Sequence, residues 1–484
     1  MQLWIDYMEE DHWIINTFCK QVMLNKQCGF LYYHKKVFLL VFVLVFILTN
    51  VVLKNRIGDM EQENIFNKSK RFSEHQISTT QSVNDVINLQ IQNNNRTYGN
   101  FKERSKLPWQ RVKGTSIQLY SAYYDNRFAK PFIRILGFQE KRQNYSSTLH
   151  CWIVYDNGES SCQKVFQVTP INLSPLRYTQ LEDFFYKCEV KGDGLPVYVG
   201  LTANETAGCN KQENILKVEN NFKNISQNPN NFSKEFCVCV EGPIYGRIPP
   251  RKLIETLEMY RVLGVEKVLI YNEDISGDLM PILKEYVNEG YVELLNWNIR
   301  KYKPRRRKLH YYGQSLLIND CLYRIMWETR YIAFLDLDEF IIPRVGDTFQ
   351  ELIQNISSPG TAGYRFMNAF YTPNNNSDVH AYKQEIFTNT KRGALYTDMR
   401  RSKHIVQANK VEHNGVHFPY VFTNGYRYKN ITSDYALLHH LKGADSSQNK
   451  QNKLAPVDNT ALKYRERLEP AVQAQFRKHN IVPI

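Results

Sequence analysis

The stretch YIAFLDLDEFIIPR, Tyr331–Arg344, opens as an apolar strand, places Asp336, Asp338 and Glu339 within four residues, and then turns apolar again. Apolar runs of this length between polar flanks predict a core strand. Carboxylates at the end of such a strand repel one another and resist desolvation, so a cation is needed to hold them together. Side chains at i and i+2 of an extended strand share one side, about 6.6–7 Å apart, so Asp336 and Asp338 can face one site. Hard oxygen donors in that arrangement suit Mn²⁺ or Mg²⁺, ions commonly shared with the phosphates of a nucleotide. Asp-x-Asp alone is a weak signal, and most such pairs decorate solvated turns.

The flanking sequence sharpens it. EFCVCVEGPIYG (Glu235–Gly246) reads as strand then loop. RKLIETLEMYRVLG (Arg251–Gly264) spaces Leu253, Ile254, Leu257, Tyr260 and Leu263 as a helix stopped by glycine. EKVLIYN and YVELLNW are strands, and GDLMPILKEYVNEG and YYGQSLLINDCLYRIMWETR are helices. The alternation βαβαβαβ predicts an α/β domain with a mostly parallel sheet flanked by helices, and ligands beyond the carboxyl ends of its strands.

Further out, the chain has 484 residues, 43% apolar, with a net charge of +14. That size allows two or three domains, and the charge favours anionic partners. Near the start, VFLLVFVLVFILTNVVL (37–53) is 17 uncharged residues between Lys36 and Lys54, long enough for an uncleaved transmembrane signal anchor behind a cytosolic tail, 1–36. Beyond the anchor stand ten Asn-x-Ser/Thr sequons, at Asn67, Asn95, Asn144, Asn172, Asn204, Asn224, Asn231, Asn355, Asn375 and Asn430. Composition alone gives about four, so the bulk of the chain is expected in a secretory lumen. Residues 54–107 are Asn-, Gln-, Ser- and Lys-rich and read as a flexible stem. Residues 108–234 show short strand-like runs and most of the cysteines, predicting a β-rich, disulfide-bearing module. The seven cysteines after the anchor are odd in number, and Cys321, on a predicted helix, is the candidate free thiol. Residues 235–470 form the α/β domain. The run KPRRRK (303–308) reads as a solvated loop, with no nucleic acid as partner.

VEGPIYG, LIETLEMYRVLGVEKVLIYN, YYGQSLLINDCLYR and YIAFLDLDEFIIPR together resemble glycosyltransferase family 92, over roughly Cys237–Lys442. The resemblance implies a glycosyltransferase-A-like fold in a single-pass type II Golgi membrane protein. Its implied activity is inverting transfer of a hexose, typically galactose from a UDP-galactose donor, to a glycan acceptor, N-glycans among them. On this reading Asp336 and Asp338 hold the metal with a late histidine, His439 first and His440 or His417 as alternatives. Gly242, Tyr245, Asn272, Asp336 and Lys403 are the candidates for nucleotide-sugar binding, with Arg401 a second cation for the diphosphate. Glu412 and Asp434 are the candidate bases for the acceptor hydroxyl. The alternative is an inactive relative acting as a lectin-like or scaffolding membrane protein, since Leu441-Lys442 departs from the family pattern.

Overall fold

The computed structural model describes residues 108–141, 149–171, 179–203, 214–220, 231–302, 309–373, 384–441 and 456–481. The tail, anchor, stem and KPRRRK run lie outside the described residues. Among the described residues, no helix is long and apolar enough to cross a membrane.

The first part is all β: β1 (Gln110–Arg111), β2 (Gln118–Asp125), β3 (Phe132–Glu140), β4 (His150–Tyr155), β5 (Ser160–Lys164), β6 (Gln167–Pro170), β7 (Leu181–Glu189), β8 (Pro196–Thr202) and β9 (Leu216–Lys217). They form two antiparallel sheets, β1-β2-β3-β7-β6 and β5-β4-β8-β9. Ile117, Ile133, Ile135, Ile153, Tyr186 and Val199 pack between them. The Cys151–Cys188 disulfide ties β4 of one sheet to β7 of the other, and Cys162 is also disulfide-bonded.

The α/β part follows with β10 (Lys234–Val240), β11 (Ile244–Gly246), α1 (Pro250–Val262), β12 (Lys267–Ile275), α2 (Met280–Asn288), β13 (Val292–Asn296), α3 (Gln314–Ile325), β14 (Thr329–Leu335), β15 (Glu339–Pro343), α4 (Phe349–Ile356), β16 (Thr361–Phe366) and β17 (Asn368–Thr372). Next come α5 (Glu385–Thr388), β18 (Lys391–Arg392), β19 (Lys403–Gln407), β20 (Val411–Asn414), β21 (Pro419–Phe422), β22 (Arg427–Ile431), β23 (Ala436–Leu441) and α6 (Arg465–Lys478). α1 begins where Pro250 needs no amide partner, and the chain leaves it at Gly264, whose φ of 91° suits glycine. Thr348 and Glu351 form a capping box at the start of α4.

The main sheet has eight strands, ordered β11-β12-β10-β14-β19-β16-β22, with β13 also on β12. β10, β11, β12, β13 and β14 are mutually parallel, as the βα alternation requires. β19 runs antiparallel between β14 and β16, so the sheet is mixed. Its reversal brings Lys403, the first residue of β19, level with the carboxyl end of β14. A smaller sheet, β15-β23-β17-β18, continues from that edge.

α3 packs on one face of the main sheet and against the β-rich part. Leu136, Phe138 and Phe185 share a core with Leu316, Leu317 and Ile332. Polar groups cross the same boundary. Asp320 of α3 accepts from the hydroxyls of Tyr123 (2.5 Å) and Tyr271 (2.6 Å) and from Ser121. Cys321 is not free: it bonds Cys239 of β10 where α3 crosses the strand. The free thiol among the described residues is Cys237, buried two residues earlier on β10 and pushed up to about 12 by burial. Strand and helix lie 82 residues apart, a pairing with no local signature.

Candidate active site at the strand ends

β14 is buried along nearly its whole length and ends in the turn Asp336–Asp338. The turn is strapped from behind by α1: Tyr260 Oη donates to the Asp336 carbonyl (3.0 Å) and Thr256 Oγ1 to the Leu337 carbonyl (2.8 Å). From the front, the Leu441 amide donates to the Asp338 carbonyl (2.8 Å). These contacts fix where the carboxylates sit. Glu339 then starts β15 and pairs with His440 of β23.

The cation demanded by the crowded acids is in the chain. Lys403 Nζ lies 2.8 Å from Asp336 Oδ2 and 3.1 Å from Glu339 Oε2, and is also paired with Glu241 at the end of β10. Burial works against its ammonium, but the Asp336, Glu241 and Glu339 charges prevail and hold it well above the ordinary lysine range. Burial raises both the Glu241 and Glu339 carboxyls, and Lys403 opposes the rise. Glu241 and Glu339 are sealed, at 0% and 2% side-chain exposure, whereas Asp336 and Asp338 reach solvent at 39% and 26%. The outward pair can therefore meet a ligand, and the inward pair with Lys403 supports it.

His440, not His439, is the histidine beside the acids. Its Nδ1 lies 3.1 Å from Glu339 Oε1, and its Nε2 lies 3.6 Å from Asp338 Oδ2. Neighbours on a strand point to opposite faces. His439 accordingly stacks on Tyr371, centroids 3.8 Å apart, fully buried and pushed down to about 3 by burial. His417 turns its Nδ1 to the Ser402 carbonyl, 3.0 Å away.

The candidate bases lie elsewhere. Glu412 is paired with Arg134 (2.8 Å) and Lys187 (3.1 Å) of the β-rich part, and it belongs to the boundary between the two parts. Asp434 lies in the turn before β23 and His440 near the strand's far end, with the four steps from Ala436 to His440 alone spanning about 13 Å. Of the nucleotide candidates, Gly242 borders open space, where an added Cβ would meet nothing within 4 Å. Tyr245 is 46% exposed, with Tyr312 5.1 Å away and the Arg300 guanidinium 4.6 Å from its ring centroid. Asn272 is buried, and its Oδ1 accepts from the Ile275 amide (2.9 Å), so it shapes the strand end. Lys403 is committed to the acids. Arg401 is exposed beside Phe370, whose ring lies 4.8 Å from that of His440.

Sequence reasoning missed Glu241 and Glu339 as Lys403's partners, and Arg300 and Tyr312 beside Tyr245. All depend on residues distant in sequence. Only the His-His doublet carried a signal, since one of two adjacent strand residues must face the acids.

Asp338 Oδ2 and His440 Nε2 lie 3.6 Å apart, Glu339 holds the other nitrogen of that imidazole, and Asp336 keeps one oxygen on Lys403; these are the donors at this corner whose chemistry suits a hard divalent ion. Among the described residues, no three acidic, histidine or cysteine side chains already converge at ligand distances.

Surface-reaching Asp336 on a buried lysine, with Asp338 beside it, stands at the carboxyl rim of parallel strands, where α/β folds place their ligands. The chain belongs to glycosyltransferase family 92, whose profile matches residues 234–483. It is 23% identical over 251 residues to beta-1,4-galactosyltransferase galt-1 of Caenorhabditis elegans, covering 50% of this chain and 56% of that one. It is 26% identical to glycosyltransferase family 92 protein F13G3.3 of the same organism (41% and 40%). It is also 26% identical to galactan beta-1,4-galactosyltransferase GALS3 of Arabidopsis thaliana (23% and 22%). The chain spans about half the length, or less, of these curated relatives.

Proposed function

We propose that this chain is a metal-dependent hexosyltransferase that moves galactose from UDP-galactose to a glycan acceptor, with inversion, in the Golgi lumen behind a type II anchor. The observation that carries the reading is Asp336 and Asp338 on the open side of the strand-end turn, with His440 Nε2 turned toward Asp338. Two named relatives, galt-1 and GALS3, are beta-1,4-galactosyltransferases, which supports galactose as the sugar. The sequons at Asn231, Asn355 and Asn430 are all exposed, which supports a lumenal address.

Asp336, Asp338 and His440 would hold Mn²⁺ or Mg²⁺, which supplies positive charge to a diphosphate leaving group. The chain's own residues do the rest. Lys403 keeps Asp336 and Glu339 in place and spares them mutual repulsion. Glu339 orients His440 through Nδ1. Arg401 stands exposed near the same corner, where a guanidinium suits diphosphate oxygens. Tyr245 on β11 and Tyr312, downstream of β13, offer flat faces for a base.

The test is sugar transfer or donor hydrolysis by the purified full chain across UDP-sugars, with and without Mn²⁺. Turnover of UDP-galactose that disappears in EDTA and in Asp338→Ala is expected. Full activity of that variant, or wild-type inactivity on every UDP-sugar, removes the reading.

A further inference from the structure

Among the described residues β22 is the outer strand of the main sheet, and Arg427, Tyr428, Lys429 and Asn430 along it are all exposed. An open edge offers unpaired backbone groups to other chains, and folded proteins shield such edges. The two faces of this strand differ. Lys429 Nζ donates to the Ile356 carbonyl at the end of α4 (3.3 Å), and Ile431 joins the core containing Ile356. Tyr428 and Asn430 therefore share the opposite face.

On that face the partners of Tyr428 and Asn430 across β16 are Gly363 and Arg365. A Cβ on Gly363 would stand 2.9 Å from the Phe422 ring and 3.2 Å from Tyr428 Cβ, so the bare glycine lets these side chains close over the sheet. Phe418 lies 6.0 Å from Tyr428, and the Arg365 guanidinium sits 4.8 Å from the Phe418 centroid. Tyr428 keeps 39% of its surface in solvent. The result is a half-open aromatic shelf beside the side chain of an Asn-Ile-Thr sequon.

We propose that Asn430 is a used N-glycosylation site whose first sugars lie on the Tyr428–Phe418 shelf and cover the β22 edge. The inference rests on the lumenal reading given above. In the modification, Asn430 Nδ2 attacks the anomeric carbon of a lipid-diphosphate-linked oligosaccharide supplied in the lumen. An N–C bond forms as the C–O bond to the diphosphate breaks, the diphosphate leaves with the electron pair, and the amide gives up one proton. The apolar faces of the sugar rings then stack on the tyrosine and phenylalanine, as amphipathic rings do on aromatic side chains.

The experiment is glycopeptide mass spectrometry on the full chain expressed in eukaryotic cells, with Asn231 and Asn355 as internal references. It is followed by thermal unfolding before and after amidase removal of the glycans. Asn430 should be occupied, and deglycosylation should lower the Tm by about 2–4 °C. Thr432→Ala and Tyr428→Ala should abolish that drop, and Tyr428→Phe, which keeps the ring, should retain it. An unmodified Asn430 with Asn231 or Asn355 occupied overturns this proposal alone. No occupancy at any sequon overturns it together with the lumenal address. An undiminished drop in Tyr428→Ala overturns the shelf.

Discussion

Replacing Lys403 with methionine removes one buried positive charge and leaves Glu241, Asp336 and Glu339 facing one another. The lysine side chain is 3% exposed, and two of its three partners are sealed, so solvent cannot take its place. Breaking a buried ion pair by deleting one partner costs about 3–5 kcal/mol. At about 2–4 °C per kcal/mol for a domain of this size, the Tm should fall by roughly 6–20 °C. The loss should depend on pH with a defined sign. Glu241 and Glu339 already have folded values above the unfolded one, so protonation favours the folded state, fully below about pH 4.5 and progressively less as pH rises through the folded value. Without Lys403 those folded values rise further. The gap between variant and wild type should therefore be wide at pH 8 and narrow toward pH 5. Circular-dichroism melts at the two pH values read this directly, with Lys403→Arg as a charge-retaining control. A Tm loss under about 3 °C, or a gap that does not narrow in acid, would refute the assignment of Lys403 as the acids' counter-charge.

Other outcomes follow from the same geometry. Arg134→Met, which leaves Asp125 to Arg127 alone and Glu412 to Lys187 alone at the boundary between the β-rich and α/β parts, should cost about 1.5–3 kcal/mol in urea unfolding. His404, His413 and His439 are buried and held neutral by burial at about 3, 4 and 3. Their contribution to stability is complete above about pH 6.5 and withdrawn as pH falls toward those values, so melts from pH 7 to 4 should show progressive loss. His440→Gln should reduce turnover by at least about tenfold while leaving the melt within about 2 °C of wild type, whereas His439→Gln should lower the melt and spare turnover. Cys237→Ser, a buried thiol outside the disulfides, should leave turnover unchanged and the two named disulfides intact by peptide mapping.

The elements were legible where the hydrophobic period was regular. The helix over Leu253–Leu263, the strands over Lys267–Ile275 and Thr329–Leu335, and the acid turn after the latter all stand where apolar spacing puts them. The β-rich segment was legible because its short strands alternate between turn residues. What pattern could not convey is which distant residues meet. Nothing near Lys403 announces that β19 reverses to bring it level with Leu335, so it read as a free cation for a diphosphate. Glu412 read as available because its partners, Arg134 and Lys187, lie more than two hundred residues earlier. The doublet His439-His440 marked the right strand but not the face, which is set by the register of β23 on β15.

The most direct test of the account is calorimetric titration of UDP into the full chain, with Mn²⁺ and then with EDTA, for wild type and Asp338→Ala. If Asp336, Asp338 and His440 together receive a divalent ion that shares the donor's diphosphate, removing the metal or the Asp338 carboxylate should each weaken UDP by at least about tenfold, or about 1.4 kcal/mol. Doing both should add little to either. Equal affinity with metal, without metal and in the variant would contradict the claim that this acid corner is the donor site.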